Sequence, residues 1–584
     1  MTLTVPASVV RDHLGRIERS ASFAKAERLR KFLRFVVEKT LAGEHDAIKE
    51  YSIALEVCGR DSSFDPKTDP IVRVDANRLR ARLEAYYAVE GRDDPVRISI
   101  LKGSYVPTMT SIEPAATHTS GAALVVLPFV NLGPQHDDES FADGLTEELI
   151  HQLSCNPGLR VIARTSAFQY RGKGGDVRQI AANLGVGYVV EGSMRSAGDQ
   201  IRVTVQLTDV ATCTVCWSDR YERQLSHVFA VQDDICRNIA RALDIQLVDA
   251  VRYSPSPAAE PAAHVEYLKG RHFWNRRTGT SLVQSLEHYR RALALDPQCA
   301  PAHCGIADTL CVQTLNEQLA AADALVLARA HARRATELAP NLAEALVSAA
   351  VVASLLEWDW ARGDRLFRRA TEINPGYSLG HYLHAIVNLA PRAQWEEALI
   401  AMDRAIDLDP VSPVLYRDLG IVHYLRGEFA EAERALREAG TLDPGFRGSL
   451  FWLARTLAEV GRLEEALETF QTRWNEPGAN TRVLASLVHT LGLMGRRGEA
   501  LERFDQLQIE ATAGRVPPLN LAIAHLGLGQ REEAIALLER AYAERAIPLY
   551  QLAVDPVYAP VRGSARVQAI LLNMKLNPAA VSRS

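Results

Sequence analysis

The fold of the second half of the chain follows from residues 413–444, which read PVLYRDLGIVHYLRGEFAEAERALREAGTLDP. Leu419 and Gly420 supply a core residue and a close helix contact on a first helix, and Gly427 marks a turn. The second helix then carries small and large residues at core spacing: Ala432, Leu436 and Ala439. Small residues let antiparallel helices approach, large ones fill the space between them, and a proline ends the second helix. The stretch therefore predicts a helical hairpin.

This hairpin is one of a periodic series. Prolines recur where successive units end: Pro297, Pro340, Pro375, Pro410, Pro444 and Pro477. Their separations are 43, 35, 35, 34 and 33 residues, the period of stacked helical hairpins. The pattern resembles the tetratricopeptide repeat over residues 262–574, with an irregular stretch at 316–324 and degenerate units after Pro477. The resemblance implies an all-α solenoid that binds protein or peptide partners.

In a tetratricopeptide solenoid the first helix of each pair lines the concave face. The resemblance therefore implies that four residues of the unit at 413–444 face a partner groove: Val414, Arg417, Ile421 and Tyr424. One charge among apolar and aromatic side chains suits an amphipathic peptide or helix. The alternative is that Ile421 and Tyr424 pack against a neighbouring unit.

Composition excludes several classes of protein. At 584 residues the chain is too long for one hydrophobic core. Its apolar runs are too short to cross a bilayer and no signal peptide is evident, so we expect a cytoplasmic protein without a membrane partner. Eight irregularly spaced cysteines do not suggest a disulfide framework. Cys213 and Cys216 have no second pair nearby to complete a zinc site, so neither a metal nor a cofactor is expected.

Two stretches of linker composition, at 111–121 and 254–263, divide the chain into predicted domains at 1–110, 122–251 and 262–574. In the first domain, apolar stripes predict helices around 29–37 and 47–57. Asp69 and Pro70 announce a third helix as its cap and first residue. Alternation at 96–100, followed by a turn at 102–104, predicts a hairpin.

Three helices and a hairpin resemble the winged helix-turn-helix effector domain of OmpR/PhoB-type response regulators. The carrying residues are the third-helix run 78–83 and the wing 98–105. By that resemblance three residues would face bases and four would meet phosphates: Arg73, Asn77 and Arg80, then Arg78, Arg82, Arg97 and Lys102. The family's small sheet before the helices is not evident in residues 1–25. The domain holds 19 basic and 16 acidic residues, a low net charge of +3 for a DNA binder, so a protein-docking role stays open.

The middle segment alternates strand and helix patterns. Strands are predicted at 123–129 and 159–163, a hairpin at 188–207 with its turn at 197–199, and three helices between and after them. The segment resembles the amino-terminal α/β domain of TolB-like and FlgO-like proteins. Four runs carry that resemblance: residues 126–129, 141–146, 161–164 and 217–221.

No catalytic motif is evident: the chain lacks a Walker loop, a nucleophile elbow and a zinc-protease helix. We therefore expect a non-enzymatic protein of three parts, a winged-helix head, a small α/β domain and a tetratricopeptide solenoid. The leading hypothesis is a cytoplasmic transcription regulator that binds double-stranded DNA and a protein or peptide ligand. The alternative is an interaction scaffold or accessory subunit that does not bind DNA.

Overall fold

The structure is a computed structural model of the 584-residue chain. It divides into two compact units, Met1–Ser120 and Gly121–Ser584. The described residues are 7–20, 23, 26–41, 47–61, 64, 69, 71–91, 94, 96–100, 105–111, 122–133, 137–172, 176–197, 200–224, 228–243, 261–475, 480–513 and 516–576.

The first unit is a helical bundle followed by a hairpin. Its helices are α1 (Ala7–Arg19), α2 (Glu27–Leu41), α3 (Glu50–Glu56) and α4 (Ile71–Val89). Strands β1 (Val96–Ile100) and β2 (Pro107–Ser111) pair antiparallel, with Val96 opposite Ser111. Buried side chains from all four helices and β1 form one core, for example Ile17, Leu33, Ile53, Leu79 and Ile98.

The predicted helices of this unit are present, with two differences. Helix α1 was not foreseen, although Val10, Leu14 and Ile17 recur at helical spacing and are buried. The second strand of the hairpin begins at Pro107, two residues later than Tyr105, because residues 105–106 pack toward the helices instead of pairing. The predicted helix cap is confirmed, since the Ile71 N–H donates to Asp69 Oδ1 at 3.0 Å.

The second unit begins with a mixed sheet. Its strands are β3 (Ala122–Val126), β4 (Val130–Asn131), β5 (Leu159–Val161), β6 (Tyr188–Ala197), β7 (Gln200–Asp209) and β8 (Thr214–Gln224). They lie in the order β5-β3-β6-β7-β8, with β4 also paired to β6. β3 runs parallel to β5 and β6, whereas β6, β7 and β8 are antiparallel. On β7 the predicted alternation is confirmed, because Ile201, Val203, Val205 and Leu207 are all buried.

Helices cover this sheet. They are α5 (Asp137–Ser154), α6 (Arg164–Phe168), α7 (Val177–Leu184) and α8 (Val228–Ala242). α5 and α8 bury apolar stripes, such as Leu145 and Leu149 on α5 and Ile235 and Ile239 on α8, against the strands. The short α6 was not predicted, since five residues are too few to show a helical period.

An array of paired helices follows. The pairs are α9 (Pro261–Arg276) and α10 (Gly279–Leu295), α11 (Ala300–Leu315) and α12 (Ala321–Leu338), α13 (Ala343–Val351) and α14 (Trp360–Ile373), α15 (Ser378–His384) and α16 (Trp395–Leu408), α17 (Pro413–Arg426) and α18 (Phe429–Leu442), α19 (Leu450–Glu459) and α20 (Leu463–Trp474), α21 (Thr481–Leu493) and α22 (Arg497–Thr512), and α23 (Pro518–Gly527) and α24 (Arg531–Ala543). We call the first member of each pair an A helix and the second a B helix. α13 and α15 continue as π-helical turns at Val352–Leu356 and Ala385–Leu389.

Two features of the array differ from expectation. The units after Pro477 are regular pairs rather than degenerate ones, because α21–α24 keep both the buried stripe and the glycine turns. The final pair is followed by short 3₁₀ turns at Ile547–Gln551 and Pro556–Tyr558, then α25 (Ala559–Arg562) and α26 (Ala565–Asn573). We call residues 547–576 the C-terminal segment.

Candidate functional site: the head helix and the inner face of the array

Helix α4 carries the predicted DNA-contact residues of the head. Val72, Ala76 and Leu79 are buried on one face and fix the helix against the bundle. Arg73 and Asn77 are exposed on another face. The helix therefore separates a packing face from a polar face, as its sequence predicts.

The three predicted base-contact residues already bond within the head. Arg73 Nε lies 3.0 Å from the Glu50 carboxylate, and the Arg73 side chain remains 53% exposed. Arg80 donates to the Ile100 carbonyl at 3.0 Å and to Asn77 Oδ1 at 2.8 Å. Arg80 thus ties α4 to strand β1, a role that the sequence did not reveal.

The predicted phosphate-contact residues lie in different settings. Arg78 is 64% exposed and lies 3.8 Å from Asp75, a buried carboxylate that Arg28 approaches to 2.6 Å. Arg82 is half-buried. The Arg97 side chain and Lys102 lie outside the described residues.

In the array, the four predicted groove residues on α17 differ in exposure. Val414 and Arg417 are half-buried, and the Arg417 guanidinium lies 2.7 Å from Asp418 Oδ1. Ile421 is 8% exposed and Tyr424 is fully buried. The Tyr424 hydroxyl lies 3.3 Å from Asp555 Oδ1 and 3.4 Å from Glu459 Oε1, so its single proton is donated to one of these two carboxylates. The burial of Ile421 and Tyr424 favours the alternative in which these two side chains pack within the array. Contact with a partner stays a prediction, mainly for Val414 and Arg417.

The C-terminal segment packs against α17 and α19, which are A helices, and against the start of α14, which is a B helix. Asp555 accepts from Arg455 Nη1 at 2.9 Å and Nη2 at 2.6 Å, and both side chains are buried. The indole N–H of Trp360 donates to the Met574 carbonyl at 2.6 Å. Burial lowers the pKa of Arg455, but the Asp555 carboxylate outweighs it and raises that pKa above its ordinary value. The sequence did not predict that the C-terminal segment packs on the array. The Asp-Pro pair at 555–556 is a sequence signal for it, because Asp followed by Pro is typical of the start of a helical turn.

Among the contacts that bond the α/β part of the unit to the array, carboxylates take part at two places. At the first, α5 meets α9 and α13: Arg271 donates to Glu147 at 3.0 Å, and His151 Nδ1 lies 2.7 Å from Glu344 Oε1. At the second, Ser166 N donates to Asp409 Oδ1 at 2.7 Å. These polar contacts are partly or fully buried, so they specify one arrangement of sheet and array.

A small polar cavity lies where α5, α9, α11 and α13 meet. Its volume is about 30 Å³ and its lining includes Glu148, His151, Arg271, Asp308 and Glu344. Burial raises the pKa of Asp308 to about 6. Burial lowers the pKa of His151, but the Glu344 carboxylate overcomes this and raises it to about 9. The cavity is thus large enough for about two water molecules and contains groups of both charges.

Metal binding and membrane insertion are two further points on which the described residues give evidence. In that part of the chain, no group of three or more His, Cys, Asp or Glu side chains could hold a metal ion. Among the same residues, no helix combines the length and hydrophobicity needed to cross a membrane.

Parts of the chain match family models of a regulator domain and of helical repeats. Residues 120–251 match a family model described as HilA/YgeH-like transcriptional regulator, second domain. Residues 423–488 and 519–540 match tetratricopeptide repeat models. The middle segment of the chain therefore matches this regulator domain, whereas its resemblance to TolB-like and FlgO-like proteins stays a prediction.

Individual relatives align over part of their length. A putative adenylate cyclase 3 of Rhizobium meliloti (strain 1021) is 33% identical over 237 residues, 40% of either chain. The transcriptional regulator HilA of Salmonella typhi is 22% identical over 377 residues, 62% of this chain and 66% of that protein. Among solved structures, human IFIT1 matches with a TM-score of 0.39 and 16% identity, covering 54% of this chain and 77% of that one.

The chain spans 40% to 66% of the length of these two relatives, so the activity of neither transfers as a whole. The alignment to the putative cyclase is partial and does not make this chain clearly an enzyme. A HilA-like transcriptional regulator domain and a solenoid of tetratricopeptide repeats are both present in this chain.

Proposed function

We propose that the chain is a non-enzymatic cytoplasmic transcription regulator whose head binds double-stranded DNA as a winged helix. The observation that supports this most is the HilA/YgeH-like regulator match at 120–251, directly after a bundle of helices that ends in a β hairpin. The tetratricopeptide repeats then receive a protein or peptide partner, as such solenoids commonly do.

The head presents α4 to the major groove in this proposal. Arg73 exchanges Glu50 for a base, which costs little because the Arg73 side chain is 53% exposed. Arg78, the most exposed cation of the helix, meets a phosphate. Arg80 has a structural role instead, because it donates to the Ile100 carbonyl and fixes the hairpin against α4.

The test is binding of the full chain to genomic DNA fragments across a salt series. A DNA-binding head gives a log-log salt slope that reports several phosphate contacts. Arg78→Ala should lower that slope by about 1 and weaken all sequences alike, whereas Arg73→Ala should weaken the preferred sequence selectively. Arg333→Ala is the matched control, since Arg333 is 76% exposed on α12 in the array.

The rival function is a scaffold whose head docks on protein. The small net charge of the head and the internal bonds of Arg73 and Arg80 favour it. A chain that shows no salt-dependent affinity for any duplex, while the head retains a protein partner, would establish the scaffold instead.

A further inference from the structure

Strand β8 is one of the two edges of the mixed sheet. It is last in the strand order β5-β3-β6-β7-β8 and pairs antiparallel with β7. Its 11 residues make it the longest strand described in this sheet. Within the described residues, no strand pairs with its other side, so that side presents a row of backbone N–H and C=O groups. Such a row is a template for one more strand.

The regular part of this edge is the second half of β8. The register between β7 and β8 shifts between Leu207 and Thr208, so Cys216 has no partner in the register and forms a bulge. From Trp217 to Gln224 the pairing with β7 is continuous. Because a bulge bends the strand that carries it, a further strand would pair with residues 217–224.

Two side chains indicate which backbone groups face the open side. Asp219 Oδ1 accepts from the Arg220 N–H at 2.8 Å, and Arg223 Nη1 donates to the Glu222 carbonyl at 2.9 Å. In an antiparallel ladder, alternate residues direct both backbone groups to the same neighbouring strand. Arg220 and Glu222 therefore direct their backbone groups to the open side, whereas Tyr221 between them directs its groups to β7.

The charges of this edge are antisymmetric about Tyr221. Residues 219–223 read DRYER, so a given charge before the tyrosine is matched by the opposite charge at the same distance after it. The four charged side chains are exposed. Tyr221 is buried against α8, where Asn238 Nδ2 donates to its hydroxyl at 2.9 Å. The tyrosine is thus fixed, and the charges around it are accessible.

A second copy of β8 fits this pattern. Two copies that extend one sheet are related by a two-fold axis normal to it, because opposed side chains must lie on the same face. With the axis at Tyr221, Arg220 lies opposite Glu222 of the second copy, and Asp219 lies opposite Arg223 of the second copy. An axis at any of these four charged residues would instead set that charge against its own copy. The register centred on Tyr221 also joins the residues whose backbone groups face the open side.

We propose that the chain forms a two-fold dimer in which β8 pairs antiparallel with β8 of a second copy, centred on Tyr221. On pairing, the Arg220 N–H and the Glu222 carbonyl exchange their side-chain partners for backbone groups of the other copy. Asp219 and Arg223 are then released to pair across the interface. Charges on an edge strand commonly prevent association, and their order here disfavours other strands while it accepts a second copy. The interface belongs to the second unit and does not depend on DNA binding by the head.

The experiment is sedimentation equilibrium of the full chain, without DNA, from about 1 to 100 µM, where interfaces of modest area associate. The variants are Asp219→Arg and Arg223→Asp. Within one chain these residues are four positions apart on a strand, about 13 Å, which is too far for them to bond each other. Arg195→Asp, at an exposed position on β6, is the matched control.

We expect a reversible dimer for the wild type and for Arg195→Asp. Each single reversal sets like charges opposite each other twice in the dimer, so the dissociation constant should rise roughly tenfold or more. An equimolar mixture of the two variants restores both pairs of opposite charge and should dimerise roughly tenfold more tightly than either variant alone. A variant that had failed to fold could not recover in this way.

Three results would overturn the proposal. The first is a wild type that stays monomeric over the whole concentration range. The second is a dimer whose dissociation constant the single variants leave unchanged, because another surface then holds it together. The third is a mixture that dimerises no more tightly than its components, because the register centred on Tyr221 requires that recovery.

Discussion

Replacement of Asp555 by Asn should release the C-terminal segment from the inner face of the array. Asparagine keeps an oxygen that can accept from Val557 N, as Asp555 does at 3.1 Å, and it nearly preserves the volume. It removes the charge that faces Arg455 across 2.6 Å. The change thus tests the ion pair rather than the packing of the segment.

The magnitude follows from burial. Arg455 and Asp555 are 5% and 2% exposed, so the variant leaves a guanidinium in the interior without its counter-ion. Removing one partner of such a pair typically costs about 3–5 kcal/mol. If the segment opens as a local unit, the population of the open state rises by roughly a hundredfold to several thousandfold.

Hydrogen exchange of the full chain measures this opening directly at residues 547–576. Asp443→Asn is the matched control, because Asp443 also precedes a proline and accepts from Gly445 N at 2.8 Å. Protection of the segment should fall in Asp555→Asn and stay unchanged in Asp443→Asn. Equal protection in both variants would refute the argument that the ion pair holds the segment in place.

Two further predictions concern pH and the turns. Glu344 raises the pKa of His151 to about 9. The protonated side chain therefore adds on the order of 3 kcal/mol to the free energy of unfolding. This contribution is complete below about pH 6.5 and is lost as the pH rises through 9. Unfolding free energies measured between pH 6 and 10 should show that loss in the wild type and a flatter profile in His151→Gln. Gly427 and Ala393 both have positive φ, a conformation that glycine adopts more easily than alanine. Gly427→Ala should therefore lower the free energy of unfolding by about 1 kcal/mol, whereas Ala393→Gly should leave it unchanged or raise it slightly. Urea unfolding of the two variants measures the difference.

Local patterns account for most of what the sequence predicts. The proline spacing identifies the stacked helix pairs, and the period-2 alternation at 200–209 identifies β7, because both patterns reflect burial on one face of a single element. Elements too short for a period, such as α6, escape this reasoning. The domain boundaries and the DNA contacts that the sequence predicts remain predictions.

Contacts between distant residues account for what the sequence does not predict. Tyr424 and Asp555 are 131 positions apart, so no local pattern tells that the tyrosine is covered. Arg80 resembles a surface arginine on α4, yet it donates to a carbonyl 20 residues away. A groove prediction from one repeat therefore cannot tell what the rest of the chain places on that helix face.

The last prediction tests whether the sheet and the array respond as one body. The Glu147 carboxylate on α5 accepts a hydrogen bond from Arg271 Nε at 3.0 Å and lies 3.2 Å from Arg164 Nε. One carboxylate therefore compensates the charge of two buried or half-buried arginines. Burial raises the pKa of Glu147, but Arg271 and Arg164 outweigh it and lower that pKa. This carboxylate therefore stabilises the folded state above about pH 4.5, and its contribution is lost as pH falls further.

Glu147→Gln removes the charge at every pH and should cost about 3 kcal/mol at neutral pH, because both guanidinium groups stay where they are. If α5 and the first helix pair form one cooperative unit, hydrogen exchange should quicken in α5 and α9 together and leave α19 and α20 unchanged. Glu139→Gln, at the exposed start of the same helix, is the control. Faster exchange in α5 alone would mean that the α/β part moves independently of the repeats.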